Sequence, residues 1–154
     1  MKEKIIDTLR TLGFLLEKIE DFGYGFQYDG INFIWIPDND DEEFLNIGIP
    51  EIAEKSEMDE VTFYQLPNKL NSTLKYVKAY PFGNSIWLFY ERELLEEEEN
   101  LERVITRMIL RLESAIGHFN KMLEETTNNL QKEEADSDPT NYSDVMEEEY
   151  GNDD

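Results

Sequence analysis

The dipeptide Asp29-Gly30 stands between two runs of alternating large residues, Tyr24, Phe26 and Tyr28 before it and Ile31, Phe33 and Trp35 after it. Asp-Gly is favoured in two-residue hairpin loops because both central residues must take positive φ. A loop of that length fixes the register, with Tyr28 opposite Ile31, Phe26 opposite Phe33 and Tyr24 opposite Trp35. Opposed partners and alternate residues share one side of a sheet, so all six side chains gather on one face, which must be core. The reverse side carries Gln27 opposite Asn32, Gly25 opposite Ile34 and Gly23 opposite Ile36. Two isoleucines there stand over bare backbone. Anything docking on this hairpin is expected at Ile34 and Ile36.

Around the hairpin the periodicities lay out one domain. Ile5, Ile6, Leu9, Leu12, Leu16 and Ile19 recur at spacings of three and four, which predicts an amphipathic helix over 3–20. The run 44–49 alternates as a strand that Pro50 closes. Over 59–74, Phe63, Leu66, Leu70 and Leu74 are helically spaced around Pro67, which lacks an N–H, so the helix is expected to start or kink there. The runs 75–80 and 85–93 form a second hairpin about Phe82-Gly83-Asn84. From Leu101 to Leu123 apolar residues repeat over a long last helix. Beyond residue 126, acids and amides dominate, too little apolar surface to offset ordering a backbone, and a disordered acidic tail is expected over 126–154. The order is α-β-β-β-α-β-β-α over residues 1–125, an α+β fold in which helices flank an antiparallel sheet.

The strand 85–93 is apolar on both sides, with Trp87 and Phe89 on one and Ile86, Leu88 and Tyr90 on the other. A sheet with one solvated face normally alternates cleanly, so a helix, a second copy or a bound partner must cover the second face. Ile86, Leu88 and Tyr90 are therefore expected to join Ile34 and Ile36 in a partner or dimer surface. The last helix, at about 28 residues and so about 42 Å long at ~1.5 Å per residue, outreaches a five-stranded sheet. Phe119 and Met122 in its final turns are expected to pack on a partner as well.

The net charge of −22 disfavours binding to nucleic acid or to an anionic membrane, and favours basic partners. No apolar run reaches the ~18 residues of a membrane span, there is no cysteine, and a cytoplasmic setting is expected. Chemistry finds little support. The acidic run Asp38, Asp40, Asp41, Glu42, Glu43 offers oxygen ligands for a hard cation, but an EF-hand loop needs Gly at its sixth position, where Glu43 stands. Glutamates at 96–99 suit the start of a helix without any ligand. His118 is the sole histidine, no nucleophile motif accompanies it, and no phosphate-binding glycine loop is present. Neither catalytic residues, a metal site nor a cofactor are expected.

The order of elements resembles the fold of type III secretion chaperones, shared by the bacterial YbjN-like family, often labelled sensory-transduction regulators. The closest local match is 66–80, "LPNKLNSTLKYVKAY", where Leu66, Asn68, Leu70 and Asn71 echo that family's Leu-x-Asn-x-Leu-Asn helix running into a strand, with Pro67 a departure. The resemblance implies a small acidic protein, homodimeric, that binds or regulates another polypeptide without catalysis. Two other classes compete: a carboxylate or metal-dependent enzyme using the 38–43 loop, and an acidic immunity or decoy protein that neutralises a basic partner.

Overall fold

Gly13 ends the first helix. In the computed structural model, which describes residues 1–95 and 100–136, α1 spans Lys2–Thr11. Gly13 takes a φ of 94°, its N–H bonds the Arg10 carbonyl at 2.9 Å, and the Phe14 N–H bonds the Leu9 carbonyl at 3.1 Å. This pair of bonds is a Schellman cap, for which glycine has the required left-handed freedom. The helix expected over 3–20 thus stops at Thr11. Glu17–Ile19 instead form a short strand, β1, which makes six strands where five were expected.

The strands are completed by β2 (Gly23–Tyr28), β3 (Ile31–Trp35), β4 (Phe44–Glu54), β5 (Val77–Phe82) and β6 (Ser85–Glu93). All pairs are antiparallel, in the order β1-β2-β3-β4-β6-β5, and with three helices the architecture is α+β. The β2–β3 register is the one the Asp-Gly loop dictates, and Asp29 and Gly30 take φ of 51° and 74°. β4 does not end at Pro50. Ile49 pairs with Leu88 and Ala53 with Ile86, so residues 50–52 stand opposite Trp87 alone. A bulge absorbs the missing proline donor, with Glu51 at a φ of 50°, and the strand resumes beyond it.

α2 (Glu60–Thr73) runs unbroken through Pro67 instead of starting there. The Asp59 side chain fixes its start by accepting the Thr62 N–H at 2.6 Å and the Thr62 hydroxyl at 3.0 Å. At its other end Asn71 bonds both the carbonyl and the N–H of Ala79 in β5. α3 (Leu101–Asp136) begins at Asn100, whose side chain accepts the Arg103 N–H, and continues past the boundary expected at 126. The Thr126 and Thr127 hydroxyls bond back to the Met122 and Leu123 carbonyls within it. Of the expected tail, 137–154 lies outside the described residues, as does the acidic run 96–99.

The chain divides into two units, Met1–Phe119 and Asn120–Asp154. The core of the first lies on the sheet face of Phe33, Trp35, Leu45, Ile47, Ile49, Ile86 and Leu88, each at most 2% exposed. Helical residues close it. Phe14 after α1 packs on Phe26 at 4.8 Å between ring centroids, and Arg111 of α3 lies over Tyr76, which stacks on Tyr90. Ile105, Met108, Ile109, Leu112, Ala115 and Phe119 form the buried stripe of α3. Each large apolar side chain so buried contributes about 1.5–3 kcal/mol.

Candidate functional site

The opposite face of the sheet is built differently. Read across the ladder, Glu17 pairs with Gly25, Gly25 with Ile34, Ile34 with Gly48, Gly48 with Phe89 and Phe89 with Lys78. One transverse row thus crosses all six strands and contains two glycines. Its apolar cluster is Ile34, Trp87 and Phe89, with Phe22, Ile36 and Tyr80 packed against it. Every member comes from a strand or its flanking turn, and among the described residues no helical one joins. Trp87 and Phe89 rings lie 5.9 Å apart, Tyr80 stacks on Phe89 at 4.6 Å, and Phe22 meets Trp87 edge-on at 5.5 Å.

The glycines of this face have different reasons to be glycine. A Cβ on Gly23 would stand 2.2 Å from the Trp35 carbonyl oxygen, and one on Gly48 would stand 2.8 Å from the Leu88 oxygen and 3.1 Å from the Phe89 ring. At both, backbone or ring already fills the space. At Gly25 the nearest atom to a Cβ is Ile19 Cδ1 at 3.5 Å, an ordinary contact, and φ is not positive there. Nothing in the fold requires glycine at that point. Its missing side chain leaves space open.

That space is an open trough of about 1040 Å³. Gly25 and Ile34 lie on its floor, residues 13–17 and Ile19 form one wall, and Pro50, Glu51 and Trp87 bound it on the other side. Leu15, 91% exposed, and Ile19, 42% exposed, add apolar surface at the rim. Gln27 donates to Asn32 across β2 and β3 at 2.9 Å, a polar patch at the edge of the floor. Among the described residues no lysine or arginine lines the trough, and its only charged side chains are Glu17 and Glu51. Farther along the same face Lys78 pairs with Glu91. Burial, then the negative charge of Glu91, raises the pKa of the Tyr80 phenol, while Lys78 opposes the shift. The chemistry offered is apolar and aromatic with an acidic rim.

Of the residues expected to face a partner, Ile34 lies on the trough floor and Ile36 packs beside it, half-buried. Ile86, Leu88 and Tyr90 do not form a surface: they point to the helix-covered side and are 0%, 0% and 8% exposed. The open side of β6 is the one bearing Trp87. Phe119 is fully buried in the α3 stripe, and Met122 belongs to the second unit. Leu15, Glu17, Ile19 and Glu51 were not legible as site residues, because the helix expected over 3–20 hid the first three. A stop signal was present in Gly13, although Leu16 and Ile19 continue the spacing beyond it.

In the 38–43 loop, Asp38 accepts the N–H groups of Asp40 and Asp41, and Asp41 accepts that of Glu43, so these carboxylates serve the turns of their own loop. Among the described residues no group of three or more acids or histidines gathers to hold a metal ion, and no helix is long and apolar enough to cross a membrane.

No protein-family model matches the chain, and no curated protein does. Among solved structures, an uncharacterized protein from Methanothermobacter thermautotrophicus is similar in fold, with a TM-score of 0.54 and 14% identity. The match covers 81% of this chain and 97% of that one.

Proposed function

We propose that the chain is a noncatalytic polypeptide-binding module that receives its partner in the trough over Gly25 and Ile34. This is the kind of role implied by the resemblance of 66–80 to YbjN-like regulators and secretion chaperones. The observation that carries it is Gly25. Glycine within a strand costs about 0.5–1 kcal/mol, and here no backbone approach or left-handed φ asks for it. An open floor between exposed Leu15, Ile19 and the Trp87 wall is suited to side chains arriving from another polypeptide. At about 1040 Å³ and open to solvent, it is broad for a small-molecule pocket, which is typically ~300–1,000 Å³ and enclosing.

Of the apolar surface expected for self-association, the other role the resemblance implies, Ile86, Leu88, Tyr90 and Phe119 are buried within the chain, whereas Ile34 and Ile36 stand at the trough. A second copy is the rival occupant of the same trough. The test is a displayed peptide library panned in parallel on the full chain and on Gly25→Val. Recovery of sequences that bind the natural chain and not the filled variant supports the reading. Enrichment indifferent to Gly25→Val, or no enrichment, sinks it.

A further inference from the structure

Resting on that reading of the trough, we propose that its occupant is a basic, apolar-faced segment of another protein, with cationic residues at positions i and i+4 of an extended stretch around an apolar residue at i+2. Among the described residues Glu17 and Glu51 are the only charged side chains lining the trough, and both are exposed. Glu17 belongs to β1 and Glu51 to β4, three strand spacings or on the order of 14 Å apart across the sheet, with Glu51 three residues farther along β4 than Gly48, the residue in the row of Glu17. An extended chain advances ~3.3–3.4 Å per residue, so residues four apart lie about 13 Å apart on the same face, and long cationic side chains on an oblique path span the rest. A segment crossing the strands thus sets two cations against the two carboxylates. The intervening apolar side chain falls over the floor where Gly25 has none.

Charge decides among occupants. A second copy brings another −22, and the chain's own residues 137–154 carry seven acids and no lysine or arginine. An anionic lipid surface has the same sign. All three bring like charge to an acidic rim. Only a basic polypeptide gains from it.

The probe is a short fluorescent peptide with Lys-Thr-Leu-Thr-Lys at its centre, compared with one carrying glutamate for both lysines, read by anisotropy on the full chain. The lysine peptide should bind at least about tenfold more tightly than its counterpart. That preference should shrink several-fold between about 50 mM and about 300 mM salt. The double variant Glu17→Gln, Glu51→Gln should erase it, and Gly25→Val should weaken binding about tenfold or more. If both peptides bind alike and Gly25→Val weakens both, the trough still receives polypeptides and the basic occupant is wrong. If neither binds at about 1 mM, both readings fall. A lysine preference that Gly25→Val leaves intact places the basic site elsewhere and overturns the proposal. So does a dimer that Gly25→Val dissociates, which assigns the trough to a second copy. Tighter peptide binding after serine replaces Tyr142, Val145, Met146 and Tyr150 assigns the trough to the chain's own tail, with the same consequence.

Discussion

Glu113 of α3 faces Asp29 at the tip of the β2–β3 hairpin, acid against acid. Burial first, then the hydrogen bond to Asp29 and its negative charge, raises the Glu113 pKa above its ordinary value of 4.5. Both folded and unfolded chains hold this proton below that value. As pH climbs through the window between the ordinary and the raised pKa, the unfolded chain releases the proton first, so folding stability falls. Glu113→Gln removes the penalty. The variant should melt above the natural chain at pH 7, with the gap closing towards pH 4 in thermal scans; a gap that widens on acidification contradicts the assignment.

Asn71 acts as a surrogate strand for β5. Its Nδ2 donates to the Ala79 carbonyl at 2.8 Å and its Oδ1 accepts the Ala79 N–H at 2.6 Å. Asn71→Ala should cost about 1–3 kcal/mol in urea unfolding, because Ala79 is buried and its two groups lose their partner together. Asn71→Asp keeps the acceptor and sets a carboxylate against the Ala79 carbonyl, so it should fail to rescue at pH 7. Rescue by aspartate would show that the donated bond is dispensable.

The three glycines of the trough-bearing face should separate cleanly. Gly23→Ala and Gly48→Ala drive a methyl into the Trp35 and Leu88 carbonyl oxygens and should destabilise by about 2 kcal/mol or more. Gly25→Val should cost less than either, or stabilise by up to ~1 kcal/mol, since valine favours strands and its Cβ meets Ile19 Cδ1 only at an ordinary 3.5 Å. Urea midpoints of the three variants provide the check, and a Gly25→Val loss as large as the others would mean that the trough is not open.

Leu15 and Leu88 offer the sharpest contrast between rim and core. Leu15→Ser, at a side chain 91% exposed, should change stability by less than about 0.5 kcal/mol while weakening peptide binding. Leu88→Asp, at a fully buried position on the helix-covered face, should unfold the domain through an unpaired buried charge. Circular dichroism of the two variants distinguishes them directly.

How much of this was legible in the sequence depended on how local the cause was. Asp29-Gly30 dictates the β2–β3 register within six residues on either side, and the whole aromatic face follows. The stripe from Ile105 to Phe119 is equally local. The helix stop at Gly13 was masked because Leu16 and Ile19 continue the three-and-four spacing, so periodicity overrode a cap whose hydrogen bonds span only Leu9 to Phe14. Pro50 and Pro67 misled in the same direction, each suggesting a break that a bulge or an unbroken helix absorbs. The two-sided character of β6 was visible, but which side meets the helices is settled by its pairing with β4, a partner over thirty residues away in sequence. The trough needs the α1 cap, the bulge and the ladder row together. No window of sequence contains all three.

The two margins of the sheet are unequal. Ala79 turns its backbone outward to Asn71, so Val77 and Pro81, two residues to either side, face outward too. The Val77 N–H is already bonded to the Lys75 carbonyl, and Pro81 has none. The β5 margin therefore has no donor left to offer a strand from another copy. A strand arriving there would meet carbonyl acceptors without donors, half of what an antiparallel ladder exchanges. The blunted margin is the one that Asn71 and Pro81 share, and it weakens the sheet as a template for a growing fibre.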